Sequence, residues 1–466
     1  MISYSDFIAT KLSRVPPTGL ANVPALSESL FPFQRDLVRW SLRRGRAALF
    51  ADTGLGKTRM QLEWAHRVAE HTGRAVLILA PLAVASQTVR EGVELGIGVK
   101  LVRDGIEIWD DYGIYITNYD RIHKFDASRF VGVVLDESSC IKHYNAKTLD
   151  VLLKAFRDTP WKLCATATPA PNDYTELGTH AEFLGICTRA EMLSEYFCHD
   201  GGETQTWRLK GHARKEFWRF VASWGALLRR PSDLGYDDDR YALPPLVMHH
   251  HIAAADQATT FATGVLFATE ARDLVARRTA RKASLSRRVL DCSAVVNADR
   301  DEPWIVWCDL NAESEALVGA IPGAVEIRGN QTPEEKEKRL VAFAEGRTRV
   351  LVTKASMTGF GLNWQHCARQ AFVGVNDSYE EFYQAIRRSW RFGQKRSVDI
   401  HVFASEVEGA VVKNLERKGR DAQAMADELS IETREAMRAE VRGVERATNA
   451  YAKSNIEVPA WMKESA

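Results

Sequence analysis

The stretch L-F-A-D-T-G-L-G-K-T, from Leu49 to Thr58, decides how the rest of this chain is interpreted. A short apolar run precedes it, two glycines lie within it, and a helical pattern follows it. Strand, glycine-rich loop, Lys-Thr and helix in this order are typical of the Walker A phosphate loop. Ala51 departs from the pattern, which has its first glycine there, and an ordinary strand-to-helix turn is the alternative. We predict a nucleoside triphosphate site formed by Asp52, Thr53, Gly54, Leu55, Gly56, Lys57 and Thr58.

Each residue type in this loop suits phosphate binding for a physical reason. Gly54 and Gly56 let backbone N–H groups approach the phosphates without a Cβ in the way, and the helix N-terminus adds the positive end of its dipole. Lys57 would reach the β- and γ-phosphates, and Thr58 would offer a hydroxyl to Mg²⁺. The expected ligands are therefore ATP and Mg²⁺.

Downstream, short apolar runs alternate with helical patterns. The runs have the length and composition of strands buried in a parallel sheet, and they are 75–80, 99–102, 114–117, 131–135 and 161–165. This alternation predicts a doubly wound α/β fold, in which ligands bind at the carboxyl ends of the strands.

Two acidic residues, Asp136 and Glu137, follow one of these strands. After a Walker A loop, the first carboxylate can hold Mg²⁺ and the second can orient and deprotonate water. A solvated Asp-Glu turn is the alternative. The next strand ends in A-T-A-T-P, where Thr166 and Thr168 could bond this acidic pair. Upstream, Gln34 heads an amphipathic helix, from which its amide could bond an adenine edge.

A second α/β pattern begins at Trp304 and lacks another Walker A loop. Its last helix is expected over Y-Q-A-I-R-R-S-W-R-F-G-Q, from Tyr383 to Gln394. On a helix, Gln384, Arg388 and Arg391 would share one face, as a γ-phosphate in a cleft between two domains requires. A basic helix on a solvated surface is the alternative, and it explains Arg387 well and the aligned trio less well.

Three further segments carry weaker signals. Residues 173–299 are expected to be mostly helical, and the histidines at 249–251 favour a packed or solvated segment over a metal site. The cation-rich run 272–288 is either a solvated face or a phosphate-contacting helix. The tail, 406–466, is predicted to form helices that pack across a lobe or bind a partner.

Composition excludes several classes of protein. The chain has 466 residues, 45% of them hydrophobic and 26% charged, with a formal net charge of +1. This balance argues against a histone-like polycation but allows a local basic groove. The seven cysteines form no C-x-x-C pair, which fits reduced thiols. No signal peptide or membrane-spanning run is visible, so we expect a cytoplasmic protein, in a bacterial host if the chain is viral.

In order along the chain, these motifs resemble those of superfamily 2 helicase-like ATPases, which include the DEAD/DEAH-box helicases. The likeness is greatest to the Swi/Snf-type DNA translocases, in the compact form often seen in bacteriophages. It covers roughly residues 30 to 403. The matching segments are F-P-F-Q, D-T-G-L-G-K-T, A-P-L-A-V, T-N-Y-D, L-D-E-S-S, A-T-A-T-P-A-P-N, L-L-R-R with L-P-P, T-G-F-G-L-N and Q-A-I-R-R-S-W-R-F-G-Q.

The resemblance implies two RecA-like lobes and a role for each matching residue. Lys57, Glu137, Gln384, Arg388 and Arg391 would be catalytic, with the two arginines as arginine fingers. Thr58 and Asp136 would bind Mg²⁺, and Gln34 would contact adenine. Residues near nucleic acid or coupling the lobes would be Pro81, Thr117, Asn118, Tyr119, Thr166, Thr168, Thr353, Gly361 and Asn363.

Three departures from the family pattern matter. Ser138 and Ser139 replace the usual Ala-His after the acidic pair, so hydroxyls rather than an imidazole would couple hydrolysis to the next motif. Ala167 replaces a glycine, and Thr88 stands where many relatives have a tryptophan. None of these changes removes a group that hydrolysis requires.

The resulting expectation is an ATP-dependent translocase on duplex DNA. A strand-separating helicase on single-stranded DNA or RNA is the nearest alternative, and a nucleotide-gated scaffold without turnover is the alternative from another class. The expected divisions are an N-terminal arm (1–25), a first lobe (26–235), a helical linker with a basic segment (236–300), a second lobe (301–405) and a helical extension (406–466). A nuclease or a replication or recombination protein would supply any further chemistry; no membrane partner is expected.

Overall fold

Strands and helices alternate along the chain, and the computed structural model describes most of it. The described residues are 16–143, 146–170, 173–200, 203–239, 241–253, 284–355, 364–374, 378–405, and 414, 417, 419–420, 427, 430–435 and 437–441. Their strands are β1 Arg46–Ala51, β2 Ala75–Ala80, β3 Val99–Leu101, β4 Gly113–Asn118, β5 Phe130–Asp136, β6 Trp161–Ala165, β7 Phe197–Asp200, β8 Glu203–Leu209, β9 Gly225–Leu228, β10 Leu246–Ala253, β11 Trp304–Cys308, β12 Val325–Glu326, β13 Val350–Lys354, β14 Arg369–Val373 and β15 Val398–Ser405.

The helices lie between these strands and after them. Their bounds are α1 Pro32–Arg44, α2 Lys57–Thr72, α3 Leu82–Glu94, α4 Ala146–Ala155, α5 Leu177–Leu184, α6 Arg189–Tyr196, α7 Arg214–Ala222, α8 Leu285–Ala298, α9 Asn311–Ala320, α10 Pro333–Ala344 and α11 Tyr379–Ile386. Among the described residues, no helix is both long and apolar enough to cross a membrane.

The first sheet has seven parallel strands in the order β3-β4-β2-β5-β6-β1-β9. Its central strands are buried along their whole length, as in β2, A-V-L-I-L-A. Strands with two apolar faces need cover on both sides, which the crossover helices of a parallel sheet provide. The order puts β6 between β5 and β1, so the ends of these three strands are neighbours. The α/β class and the parallel sheet expected from the sequence are confirmed.

The second sheet has six parallel strands in the order β10-β15-β14-β11-β13-β12. A buried ion pair fixes two of its covering helices: Arg288 Nη1 on α8 donates to Glu313 Oε1 on α9 at 2.8 Å, and both side chains are fully buried. Arg288 belongs to the cation-rich run, so that residue binds protein rather than phosphate. Residues 272–283 of the run lie outside the described residues.

The expectation that residues 173–299 are mostly helical is met only in part, because their described residues form four α-helices, α5 to α8, and also four strands that the sequence did not predict. The described part of this segment contains the β7–β8 hairpin, β9 in the first sheet and β10 in the second. Runs as short as G-A-L-L in β9 have no periodicity that separates a strand from a helix. In β10 three histidines obscure the alternation of a strand.

Two of the three histidines of β10 contact β15. His249 Nε2 lies 3.0 Å from Asp399 Oδ1, and His251 Nε2 lies 3.0 Å from His401 Nδ1. His251 also stacks on Phe403, with ring centroids 4.3 Å apart. Within the described residues, no group of three or more His, Cys, Asp or Glu side chains is placed to hold a metal ion.

The described part of the tail packs on the edge of the first sheet. Met437 is buried, and its sulfur accepts a hydrogen bond from the Leu227 N–H of β9 at 2.9 Å. Arg438 donates to the carbonyl oxygens of Ser232 and Asp233 at 2.8 and 2.9 Å. Residues 430–435 and 437–441 therefore cover a strand edge, the first of the two roles considered for the tail.

Candidate nucleotide site

The loop between β1 and α2 has the backbone shape that its glycines predict. Gly54 and Gly56 have φ of 93° and 79°, in the left-handed region that favours glycine. A Cβ at Gly56 would clash with Gln34 Nε2. Lys57 begins α2 and is half-buried, and its Nζ donates to the carbonyl oxygens of Ala51 at 2.9 Å and Asp52 at 3.4 Å. The lysine side chain therefore bonds to the backbone at the start of its own loop.

Gln34 ties the first helix to this loop. Its Oε1 accepts from the Phe31 N–H at 2.9 Å, and its Nε2 donates to the Leu55 carbonyl oxygen at 2.8 Å. An amide has two donor hydrogens and an oxygen with two lone pairs, so one of each remains for a further partner. Contact with adenine therefore stays a prediction, while support of the loop is visible in these bonds.

Asp136 ends β5, and its carboxylate faces the start of α2. Oδ1 accepts from Gln61 Nε2 at 2.7 Å and from the Glu137 N–H at 3.0 Å. Burial, and then the charge of Glu137, raise the pKa of Asp136 to about 7. Gln61 lies one helical turn after Lys57, so that spacing could have marked it in the sequence, where it was missed.

Glu137 has an unusual backbone. Its φ of 49° makes it the one non-glycine residue with positive φ in the described part of the chain. Such strain is often stored where a side chain must be aimed. Its carboxylate charge reaches both Lys57 and Arg388, because it opposes the burial effect that lowers the pKa of each.

The expected coupling residues lie at neighbouring strand ends. Tyr119 OH donates to the Asp136 carbonyl oxygen at 2.7 Å, which joins the end of β4 to the end of β5. Thr117 Oγ1 and Asn118 Oδ1 are buried and have no hydrogen-bond partner among the described residues. Pro81 precedes α3, at the end of β2.

The two threonines of A-T-A-T-P do not bond the acidic pair. The Thr166 hydroxyl accepts from the Thr168 N–H at 3.2 Å, and Thr168 Oγ1 is buried with no hydrogen-bond partner among the described residues. Ser138 Oγ instead lies 3.0 Å from His180 Nε2. An imidazole therefore does reach this turn, from a residue that the sequence did not single out.

The helix expected over 383–394 is wrong in extent, because α11 ends at Ile386 and turns follow. The argument that Gln384, Arg388 and Arg391 share one helix face therefore fails. Arg387, explained from the sequence as a solvated cation, is only 3% exposed. Its Nη2 donates to Asp52 Oδ1 at 3.0 Å and to the Thr53 carbonyl oxygen at 2.7 Å. The sequence missed this contact because it crosses 335 residues.

The turn after α11 also covers the phosphate loop. A Cβ at Gly54 would lie 2.9 Å from Phe392 Cβ. Phe392 stacks on Tyr241, with ring centroids 4.7 Å apart. The second sheet's loop and the first sheet's loop therefore touch directly.

Arg388 and Arg391 are half-buried, and the charge of Glu137 acts on both. Burial lowers the pKa of each to about 10, and for Arg391 the charges of Arg388 and Arg387 add to that effect. Arg391 in turn contributes to lowering the pKa of Lys57, after burial. Several cations thus crowd one cleft, where an anion would relieve their repulsion.

The remaining predicted residues have no described contact with the phosphate loop. Gln384 is half-buried on α11, and Thr353 is buried in β13. Nothing in the described contacts joins Thr353 to the phosphate loop. Gly361 and Asn363 lie outside the described residues.

The residues present fit a triphosphate with Mg²⁺. Two left-handed glycines precede a helix N-terminus here, and the backbone N–H groups of such a helix start favour a phosphate anion. Thr58 and Asp136 would be the protein's oxygen ligands, since Mg²⁺ takes one or two carboxylates and completes its shell with water and substrate phosphates. No protein-family model and no curated protein matches this chain.

Proposed function

We propose that this chain is an ATP-dependent DNA translocase whose two sheets form RecA-like lobes, with ATP hydrolysed between them. One observation carries the proposal: an arginine of the second sheet's turn contacts the phosphate loop of the first sheet, and two more lie within electrostatic reach of Glu137. Arg387 contacts Asp52 and Thr53, while Arg388 and Arg391 lie within electrostatic reach of Glu137. A cleft with a phosphate loop on one side and arginines on the other suits phosphoryl transfer.

In the proposed reaction each group has one task. The loop N–H groups and Lys57 bind the phosphates, and Thr58 and Asp136 hold Mg²⁺. The ion supplies neutralisation of phosphate charge. Glu137 orients a water and accepts its proton as the water oxygen bonds to the γ-phosphorus and the bond to the bridging β–γ oxygen breaks, which releases ADP and phosphate. Arg388 and Arg391 stabilise the charge that builds on the transferred group.

Movement on DNA would follow from what hydrolysis does to the cleft. Arg387 and Phe392 connect the second sheet to the phosphate loop, so a change in the loop's ligand reaches the second sheet directly. Tyr119 connects Asp136 to the end of β4, where Thr117 and Asn118 carry buried polar atoms that a ligand could satisfy. These contacts support β4 as the proposed link to nucleic acid.

The test is a series of phosphate-release assays with duplex DNA, single-stranded DNA, RNA and no nucleic acid. The proposal expects the largest rise in kcat with duplex DNA. A larger rise with single-stranded DNA or RNA would identify a strand-separating helicase instead. Tight ATP binding with negligible turnover under every condition would identify a nucleotide-gated scaffold.

A further inference from the structure

His180 and Ser138 form a buried hydrogen bond immediately beside the acidic pair. His180 Nε2 lies 3.0 Å from Ser138 Oγ, and the two residues are 2% and 0% exposed. They are 42 positions apart in sequence, one on α5 and one in the turn after β5. Because a neutral imidazole can donate or accept at Nε2 and a hydroxyl can do either, the pair bonds in both tautomers of the histidine.

The histidine packs against one strand, and its helix is bonded to another. Its ring packs edge-on against Phe50 of β1, with centroids 5.2 Å apart, and Phe50 lies two residues before Asp52. The end of α5 is fixed to β6, since Lys162 Nζ donates to the Phe183 carbonyl oxygen at 2.9 Å. His180 therefore links β1 to the turn after β5, and it lies on a helix whose C-terminal end is bonded to β6.

Ser138 directly follows Glu137, the residue with the strained backbone. Glu137 has a φ of 49°, a left-handed conformation that is sterically unfavourable for a residue with a Cβ. Such a conformation persists where the surroundings hold it in place. The Cys140 N–H donates to the Glu137 carbonyl oxygen at 2.9 Å and holds the turn from one side. The bond to Ser138 Oγ holds it from the other.

We propose that His180 is a positioning residue for Glu137, acting through Ser138 to fix the direction of the Glu137 carboxylate. The inference rests on the proposed function, since it assigns Glu137 the task of orienting water. In the described part of the chain His180 contacts Ser138 and Phe50, so we expect its removal to lower kcat and to leave ATP binding intact. A general base displaced by about 1 Å can cost on the order of 100-fold in rate.

The test is a double-mutant cycle of His180→Leu and Ser138→Ala, with phosphate release measured against ATP concentration. Each single variant is expected to lower kcat about tenfold or more, which corresponds to about 1.4 kcal/mol, with KM for ATP changed less than about twofold. If the residues act through one hydrogen bond, the double variant loses no more than the worse single variant. His180→Gln, which keeps a polar group there, is expected to recover part of kcat.

Controls separate positioning from simple destabilisation. Ser138→Ala removes one oxygen atom and leaves packing nearly unchanged, so it tests the bond even if His180→Leu unfolds. His366→Leu is the matched variant, because His366 also packs on a ring, that of Phe343, but in the second sheet's core; it should keep wild-type kcat.

The outcomes distinguish this inference from the proposed function. If the wild type hydrolyses ATP and Glu137→Gln does not, but the losses in the cycle simply add or appear in KM alone, the positioning role of His180 is overturned and the ATPase stands. If the wild type has no turnover, both the ATPase and the role of His180 are overturned.

Discussion

Arg387 of the second sheet and Asp52 of the first are joined by a hydrogen-bonded ion pair of 3.0 Å. The arginine is almost fully buried, and its guanidinium lies over the rings of Tyr383 and Trp390, 5.6 and 5.2 Å from their centroids. Asp52 is the first residue after β1, so the pair connects the phosphate loop to the turn after α11. This contact brings together the two halves of the proposed cleft.

Replacing Arg387 should uncouple these halves. We expect Arg387→Ala to lower ATPase kcat at least about tenfold. The variant lacks the two bonds to the phosphate loop, so Arg388 and Arg391 would no longer be held at the cleft. Arg396→Ala is the matched control, since Arg396 is more exposed and pairs with Glu302 within the second sheet's own loops; it should keep wild-type turnover. Equal activity of both variants in the phosphate-release assay would contradict the role of Arg387.

The phosphate loop should tolerate no side chain at Gly56. Gly56→Ala adds a clash with Gln34 to the cost of a left-handed alanine, whereas Gly96→Ala adds only the latter, because φ there is 70° and no atom lies within 4 Å of the new Cβ. We expect Gly96→Ala to lose roughly 1–2 kcal/mol of unfolding free energy and keep its ATP affinity. Gly56→Ala should lose more stability and its ATP binding. Calorimetric titration and denaturant unfolding measure the two effects.

Removing Arg288 from its buried pair with Glu313 should destabilise the second sheet. Removing one partner of a buried ion pair leaves an uncompensated charge, at a cost of about 3–5 kcal/mol. Arg287, its neighbour, is exposed and pairs with Asp291, so Arg287→Met should cost less than about 1 kcal/mol. Denaturant unfolding of Arg288→Met and Arg287→Met compares the two. A small and equal loss of unfolding free energy in the two variants would argue against a buried charge pair at Arg288 and Glu313.

The histidine cluster on β10 and β15 should make stability depend on pH. Burial, and then the charges of His249, His251 and Arg369, lower the pKa of His401 to about 4. Between about 6.5 and 4 the unfolded state therefore binds the proton that the folded state rejects, and stability falls as pH falls through this window. His401→Phe should show a shallower fall, measured as unfolding midpoints at pH 7.5 and 5.

The exposed His123 offers the control for that series, because His123→Phe changes a histidine outside the cluster. Its stability should follow the wild-type pH dependence. The same slope in His401→Phe and in the wild type would show that His401 does not titrate in this range.

Local patterns predicted the parts of the fold that depend on local physics. Four apolar runs have the length and composition of buried strands, and they form β2, β5, β6 and β11 as expected. The loop before α2 is followed by a lysine at a helix start, and it too lies where the sequence places it. The acidic pair at the end of β5 was found for the same reason. Parallel sheets bring such strand ends together, so much of the first sheet's side of the site followed from order along the chain.

Long-range contacts account for what the sequence missed. From the sequence, Arg387 is interpreted as a surface cation, but the fold places it against Asp52. His180 has no distinguishing pattern in the sequence, and only the fold places it against Ser138 in the turn after β5. Strand β10 was missed because its partner, β15, lies about 150 residues later, and only that pairing supplies the partners of His249 and His251. Neither charge nor periodicity within a short window contains this information.

The central claim is ATP hydrolysis in a cleft that needs both sheets, and one measurement tests it most directly. Steady-state phosphate release with duplex DNA should be measured for the wild type, Lys57→Ala, Glu137→Gln and Arg391→Ala. We predict DNA-stimulated turnover for the wild type and loss of at least about 100-fold in kcat/KM for each variant, including the arginine from the second sheet. Turnover unchanged by Lys57→Ala and Glu137→Gln, or a wild type that hydrolyses nothing, would contradict the account.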